Sequence, residues 1–405
     1  MAEAGNHLTQ GENFFVHPTA KMVWNLVPSV VQDFVASTID RVNKVPIPPP
    51  PLAQRDRRVR LYIGPTNYAG QGHRWARAAA ENPDVDGRNM VCLETNPFGY
   101  ATDYSVRWRT MEHSRRWQRD LFAELTEGYT HVMIEAESPI LGGMFGADIR
   151  RQVAALRARG VTVGMICHGT DIRLPSRHKA LEQWSYFSND DWTPVAPIEK
   201  IVLSNMALLD DIAAPTFVST PGLLLDVPFA HLLPVVIEPD LWANSEPLLE
   251  NKRLRVVHIP SNPLPKGTMH IAPALERLQS EGIVDYIHVT GKTQAEMPAM
   301  YAGADVVLDQ FRAGDYGVAS CEAMASGRLV VAHVSEQARG VVLQETGLEL
   351  PILEANIDTL EDVIRDIAVR RDYYRTIAAR GPAFIRHAHD GRMSRAVLEQ
   401  HFLSE

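Results

Sequence analysis

The stretch "DQFRAGDYGVASCEAMASG", Asp309 to Gly327, decides how this chain is read. An apolar run, "ADVVLDQ", passes Gly314 and Gly317 and enters "VASCEAMA", a helical run of small residues. A strand followed by a glycine-bearing turn and a helix start is how α/β proteins offer free backbone N–H groups to a phosphate. Gly317, Val318 and Ala319 supply that helix start here. Glu322 falls about one helical turn further on, where an ionised carboxylate can accept hydrogen bonds from two adjacent ribose hydroxyls. An acid early in a helix also complements the helix dipole. That reading alone leaves the surrounding small residues unexplained, whereas a closely approaching ligand accounts for them.

Working outward, the same alternation fills most of the chain. "RVRLYIG", "NMVCLET", "THVMIEA" and "VTVGMICHG" read as strands, separated by the helical runs "HRWARAAAE", "SRRWQRDLFAEL" and "DIRRQVAALRARG". "PTFVST" and "HLLPVVIEP" close this half. After the polar run "DLWANSEPLLENKR", the pattern restarts with "LRVVHIPS", "VDYIHVTG", "ADVVLDQ" and "RLVVAHVS". Short apolar strands alternating with helices predict parallel sheets covered on both faces. A length of 405 residues exceeds one ordinary core. The expected fold is therefore α/β: two doubly wound, Rossmann-like domains facing across a cleft. Their expected extents are 58–238 and 254–380, joined by a hinge at 239–253, with a helix at 381–405 packing back toward the first domain. Residues 1–57 read as an appendage, an amphipathic helix followed by the stiff spacer "VPIPPPP". That helix docks on the protein's own core or makes peripheral contact with a membrane or partner.

Composition removes several classes of function. The chain is 45% hydrophobic and 22% charged, as in a water-soluble globular protein. A net charge of −9 argues against nucleic acid as the main partner. The three cysteines, Cys92, Cys167 and Cys321, stand singly and show no metal-ligand spacing. With no run of about 18 apolar residues and no signal-like start, a cytoplasmic setting is expected, with the inner membrane face as the peripheral alternative.

Ligands of such sheets bind outside the carboxyl ends of the strands, which selects three further stretches. "GPTNYAGQGH" carries Asn67 and Gly70 and is not a dinucleotide fingerprint. "ICHGTDIR" places His168 directly after an apolar strand, with Asp171 near enough to orient it or to cap the next helix. "HIPSNPLPKGT" brings Ser261, Asn262, Lys266 and Gly267 to one turn, suited to a diphosphate that needs a cation and backbone donors. Gly291 ends a strand on the same side. Tyr301 falls on a helix away from these motifs.

The blocks "GVASCEAMASGRLVVA" and "PSNPLPKGT", with "HGTDIR" less specifically, resemble family-4 glycosyltransferases, retaining enzymes of the two-domain GT-B fold. The resemblance covers most of residues 58–400. It implies a nucleotide-diphosphate sugar as donor substrate, no cofactor and no metal, and transfer to an acceptor hydroxyl. The acceptor is left open among glycans, lipid-linked sugars and small molecules. It further implies that Glu322 binds ribose, that Lys266 and the amides of Gly317 to Ala319 hold the diphosphate, and that His168 contacts the transferred sugar. Two departures stand out. The family's earlier glutamate position is Gly314 here, with Asp315 next to it as the expected substitute, and its arginine position is Ser261. A nucleotide-sugar 2-epimerase and a non-catalytic sugar-nucleotide-binding protein are the alternatives.

Overall fold

The computed structural model describes residues 47–188 and 195–404, together with Val31, Phe34, Val35 and Thr38. The expected N-terminal helix lies outside the described residues except at those four helical positions, where Val31 and Phe34 are exposed. The proline-rich spacer is held down: Tyr104 Oη donates to Pro48 O (2.8 Å) and Tyr129 Oη to Pro51 O (2.9 Å).

Seven strands form the first sheet: β1 (Val59–Gly64), β2 (Val85–Cys92), β3 (Tyr104–Val106), β4 (His131–Glu135), β5 (Thr162–Cys167), β6 (Thr216–Val218) and β7 (His231–Leu232). Their order is β3-β2-β1-β4-β5-β6-β7, with every pairing parallel. That is the dinucleotide-fold order extended by one strand. The second sheet holds β8 (Leu254–His258), β9 (Val284–His288), β10 (Val306–Leu308), β11 (Leu329–Ala332) and β12 (Leu353–Glu354), in the order β12-β11-β10-β8-β9 and again all parallel. This is the flavodoxin-like order. The molecule is therefore α/β with two doubly wound domains, as its sequence pattern implies.

Local chemistry explains the covering helices. Arg115–Glu127 starts at Ser114, whose hydroxyl accepts from Trp117 N (3.3 Å), and it buries Trp117, Leu121 and Leu125 at four-residue spacing. The chain end returns to the first domain. Leu398, Phe402 and Leu403 join the core made by Leu61, Ile63, Trp75 and Phe217. The Phe402 ring lies over Gly164, where a Cβ would come within 3.0 Å of it, so β5 needs a glycine there.

The segment expected as a hinge, 239–253, carries buried side chains. Trp242 and Leu249 are buried in the second domain. Arg328 Nη2 donates to Asn244 Oδ1 and Glu246 O, both at 3.0 Å. Two apolar anchors hidden among polar residues thus fix this segment to one domain. The two chain crossings instead meet where Ile237 N donates to His389 O (2.7 Å).

Candidate active site

In each sheet the strand order reverses once, between β1 and β4 and between β8 and β10. A crevice opens at such points because the following loops diverge to opposite faces. The candidate site is built from the loops leaving those strands.

β8 ends at His258, a fully buried imidazole between Leu308 O (3.0 Å) and Thr268 Oγ1 (2.8 Å). Burial pushes its pKa down to about 4, which keeps the ring neutral and able to donate on one side and accept on the other. It joins the end of β10 to the turn after β8. Within that turn, Asn262 Oδ1 accepts from Leu264 N (3.1 Å) and caps the short helix Pro263–Lys266. Gly267 then takes a left-handed conformation (φ 75°), and a Cβ there would sit 3.2 Å from Phe311 and Arg312. Asn262 and Gly267 shape the turn. Lys266 and Ser261 reach the cavity beyond it.

Lys266 pairs with Asp309, whose other oxygen accepts from the Ser320 hydroxyl. The helix Val318–Ala325 begins at Gly317, where a Cβ would meet nothing within 4 Å. Glu322 is 5% exposed, and its Oε1 has no hydrogen-bond partner among the described residues. Burial pushes its pKa up to about 8, with Arg74 and then Lys266 drawing it back. A buried carboxyl oxygen left unpaired is costly, so its natural complement is a ligand donor.

Ser261, Lys266, Gly291, Val318, Ala319 and Glu322 therefore line one cavity of about 220 Å³. Ala69, Phe98 and Tyr100 close it from the first domain. That volume is below the roughly 300–1,000 Å³ of typical ligand sites, as expected of a cleft whose walls stand close together. Tyr301, read from the sequence as remote, also lines it.

The remaining expected residues lie elsewhere. His168 follows β5 with its ring against Tyr68 (5.1 Å) and Trp75 (5.7 Å), and Nε2 lies 3.4 Å from Glu135 Oε1. Glu135 is wholly buried, and its Oε2 accepts from Thr66 N and Asn67 N (both 2.9 Å). Asn67 has φ 49° and is spent on the turn, accepting from His73 N (3.0 Å) and donating to Ala101 O (3.0 Å). Gly70 has φ 73°, and a Cβ there would lie 3.1 Å from the Tyr100 ring. Asp171 does not orient the His168 ring. It accepts from His168 N (2.7 Å) and from Gly169 N.

Asp315, expected beside a transferred sugar, is not part of the cavity lining. It is 1% exposed, paired with Arg173 Nη2 (3.0 Å), and accepts from Gly222 N (3.0 Å) and Tyr316 N (3.0 Å). A buried carboxylate with both oxygens satisfied this way ties the two domains together. Gly314 is equally constrained: φ is 62°, and a Cβ would fall 2.3 Å from the Glu182 carboxylate of the first domain.

The fold also gathers Cys167 with Glu137 and Asp171, a set invisible in the cysteine spacing. Cys167 Sγ donates to Glu137 Oε1 (3.1 Å), and the Asp171 oxygens are taken by backbone N–H groups. Sequence spacing missed Phe98 and Tyr100 in the cavity lining, Arg74 with its unpartnered Nη1, and Glu135 and Asp309 as the partners of His168 and Lys266. Glu135, the last residue of β4, and Asp309, directly after β10, carried the positional signal of a strand end.

Residues 241–368 match the family model of glycosyl transferases group 1. No curated protein matches the chain by sequence. Among solved structures, the chain is similar to Anabaena Alr3699/HepE in complex with UDP and glucose (TM-score 0.52, 12% identity, 84% of this chain and 98% of that one). It is also similar to sucrose-phosphate synthase from Thermosynechococcus elongatus (TM-score 0.53, 14% identity, 86% and 100%). A glycosyltransferase from Rickettsia africae gives a TM-score of 0.53 at 11% identity, over 85% of this chain and 98% of that one. At these identities the likeness establishes the fold, the two-domain GT-B architecture.

Proposed function

We propose that this protein is a glycosyltransferase that moves a sugar from a nucleotide-diphosphate donor to an acceptor hydroxyl. The observation that carries the reading is the unpaired, buried Oε1 of Glu322, facing the same cavity as Lys266 and the helix start at Val318. The match of residues 241–368 and the HepE complexes with UDP and UDP-glucose support a nucleotide sugar as the donor class.

In this reading Glu322 accepts from the ribose hydroxyls, and the N–H groups of Gly317 to Ala319 face the diphosphate. Lys266 exchanges Asp309 for a phosphate oxygen as the bond from the anomeric carbon to the leaving oxygen breaks. The acceptor oxygen bonds to that carbon, and its proton passes to the departing phosphate. The outcome is retention on the same face, as in family-4 enzymes. The lysine and the helix N–H groups meet the developing charge without a metal. His168, packed against Tyr68 in the turn before Ala69 of the cavity lining, is assigned to the sugar end by the family resemblance.

Release of nucleoside diphosphate from UDP-glucose, UDP-N-acetylglucosamine, GDP-mannose and ADP-glucose tests the reading, with and without candidate acceptors. We expect release from one donor, lowered roughly 100- to 1,000-fold in Lys266→Ala. Tight donor binding without release or transfer would instead mark a binding protein, a reading that the Lys266–Asp309 pair favours. Conversion of the free donor sugar would mark an epimerase.

A further inference from the structure

The cavity's charges do not suit a diphosphate as they stand within the second domain. Lys266 is already paired with Asp309, and Lys292 is paired with Glu296 (2.8 Å). Glu322 adds an acid with no cation of its own domain bonded to it. A ligand carrying two or more negative charges needs a further positive group close by, since an unpaired buried charge is strongly unfavourable.

The first domain holds such a group. Arg74, on the helix Gln71–Ala80, is 6% exposed, and its Nη1 has no hydrogen-bond partner among the described residues. Among the described residues its one ion pair is with Glu238, at 3.9 Å and on a carboxylate 62% exposed. That distance is long and that partner is solvated, so it leaves most of the guanidinium unsatisfied. Arg74 acts on Glu322 more strongly than Lys266 does, and on Tyr100 as well, and both residues line the cavity. Arg74 lies in the first turn of the helix that follows Ala69, itself part of the cavity lining, so the unpartnered Arg74 Nη1 and Glu322 Oε1 belong to facing domains.

We propose that Arg74 binds the phosphate next to the donor's ribose, so that the donor site is completed from the first domain. This rests on the nucleotide-sugar reading above. A guanidinium suits the role because it holds two phosphate oxygens in a fixed fork. It also gives domain closure a direct cause: the donor, seated on the second domain, brings a negative charge that only the closed arrangement neutralises. The N–H groups at Gly317 to Ala319 then hold the diphosphate from one side and Arg74 from the other.

The test is calorimetric titration of the full chain with UDP, GDP and ADP and with the matching nucleosides, using wild type, Arg74→Met and Arg74→Lys. We expect Arg74→Met to weaken the preferred diphosphate by roughly 10- to 100-fold while the nucleoside is unaffected. Arg74→Lys should keep the charge but not the fork and recover only part of the affinity, and the salt dependence of diphosphate binding should fall in Arg74→Met alone. Melting curves establish that each variant is folded. Equal losses for diphosphate and nucleoside, or unchanged diphosphate affinity in a folded Arg74→Met, would overturn the assignment while leaving the nucleotide-sugar reading intact. Failure of wild type to bind any of the three diphosphates would overturn both.

Discussion

Glu322 is neutral in the free protein at neutral pH, because burial holds its pKa up to about 8 against an ordinary 4.5. Ribose hydroxyls favour the ionised carboxylate, so donor binding at pH 7 should release part of a proton. Calorimetry in buffers of different ionisation enthalpy would show it, and no buffer dependence would count against the ribose contact. The same group has a stability signature. A folded pKa above the unfolded one gives stability that is complete below about 4.5 and lost as pH rises through about 8. Glu322→Gln should therefore melt higher than wild type near pH 8 and little differently near pH 4. Burial raises the Asp315 pKa as well, but this carboxylate is paired, so its removal should destabilise. Removing it leaves the buried Arg173 without its ion-pair partner, at a cost of about 3–5 kcal/mol, so Asp315→Ala should melt much lower. A melting temperature unchanged from wild type would contradict the clasp.

At the scale of elements, the helix start at Gly317 gives a sharper test than its neighbours. Its φ of −145° is extended backbone open to any residue, and a Cβ there would meet no protein atom within 4 Å. Gly317→Val should change stability by less than about 0.5 kcal/mol while sharply weakening donor binding. Unchanged binding would show that no ligand approaches this turn. Sequence periodicity made the strands and this helix legible, because strands buried on both faces appear as continuous apolar runs. It did not reveal β3 or β12, three and two residues long, whose pairing depends on neighbours rather than on pattern. Nor did it reveal Arg74, which occupies an ordinary helical position in "HRWARAAAE" and gains its setting only when a second domain faces it. The pairing of Asp315 is hidden from the sequence for the same reason, since Arg173 lies 142 positions away in the chain.

At the scale of the whole molecule, polar clasps hold the domains together. Arg173 meets Asp315, Arg312 Nη2 donates to Ser185 O (2.8 Å), and His333 joins Glu182 of the first domain to Glu354 of the second. Hydrogen bonds to Glu182 and Glu354, both 2.7 Å, push the His333 pKa up to about 9. A histidine raised in the folded state contributes stability that is complete below about 6.5 and lost as pH rises through about 9. X-ray scattering should therefore report a larger radius of gyration at pH 10 than at pH 7, and His333→Ala should show the larger value at both. Equal radii throughout would contradict a titrating clasp. All of this serves one central claim, that the cleft seats a nucleotide-diphosphate sugar through Glu322. The most direct measurement is calorimetric titration of a panel of such sugars into wild type and Glu322→Ala. Wild type should bind one donor selectively, and a Glu322→Ala variant that remains folded should lose it. Donor affinity unchanged by that substitution, or no donor bound by folded wild type, would contradict it.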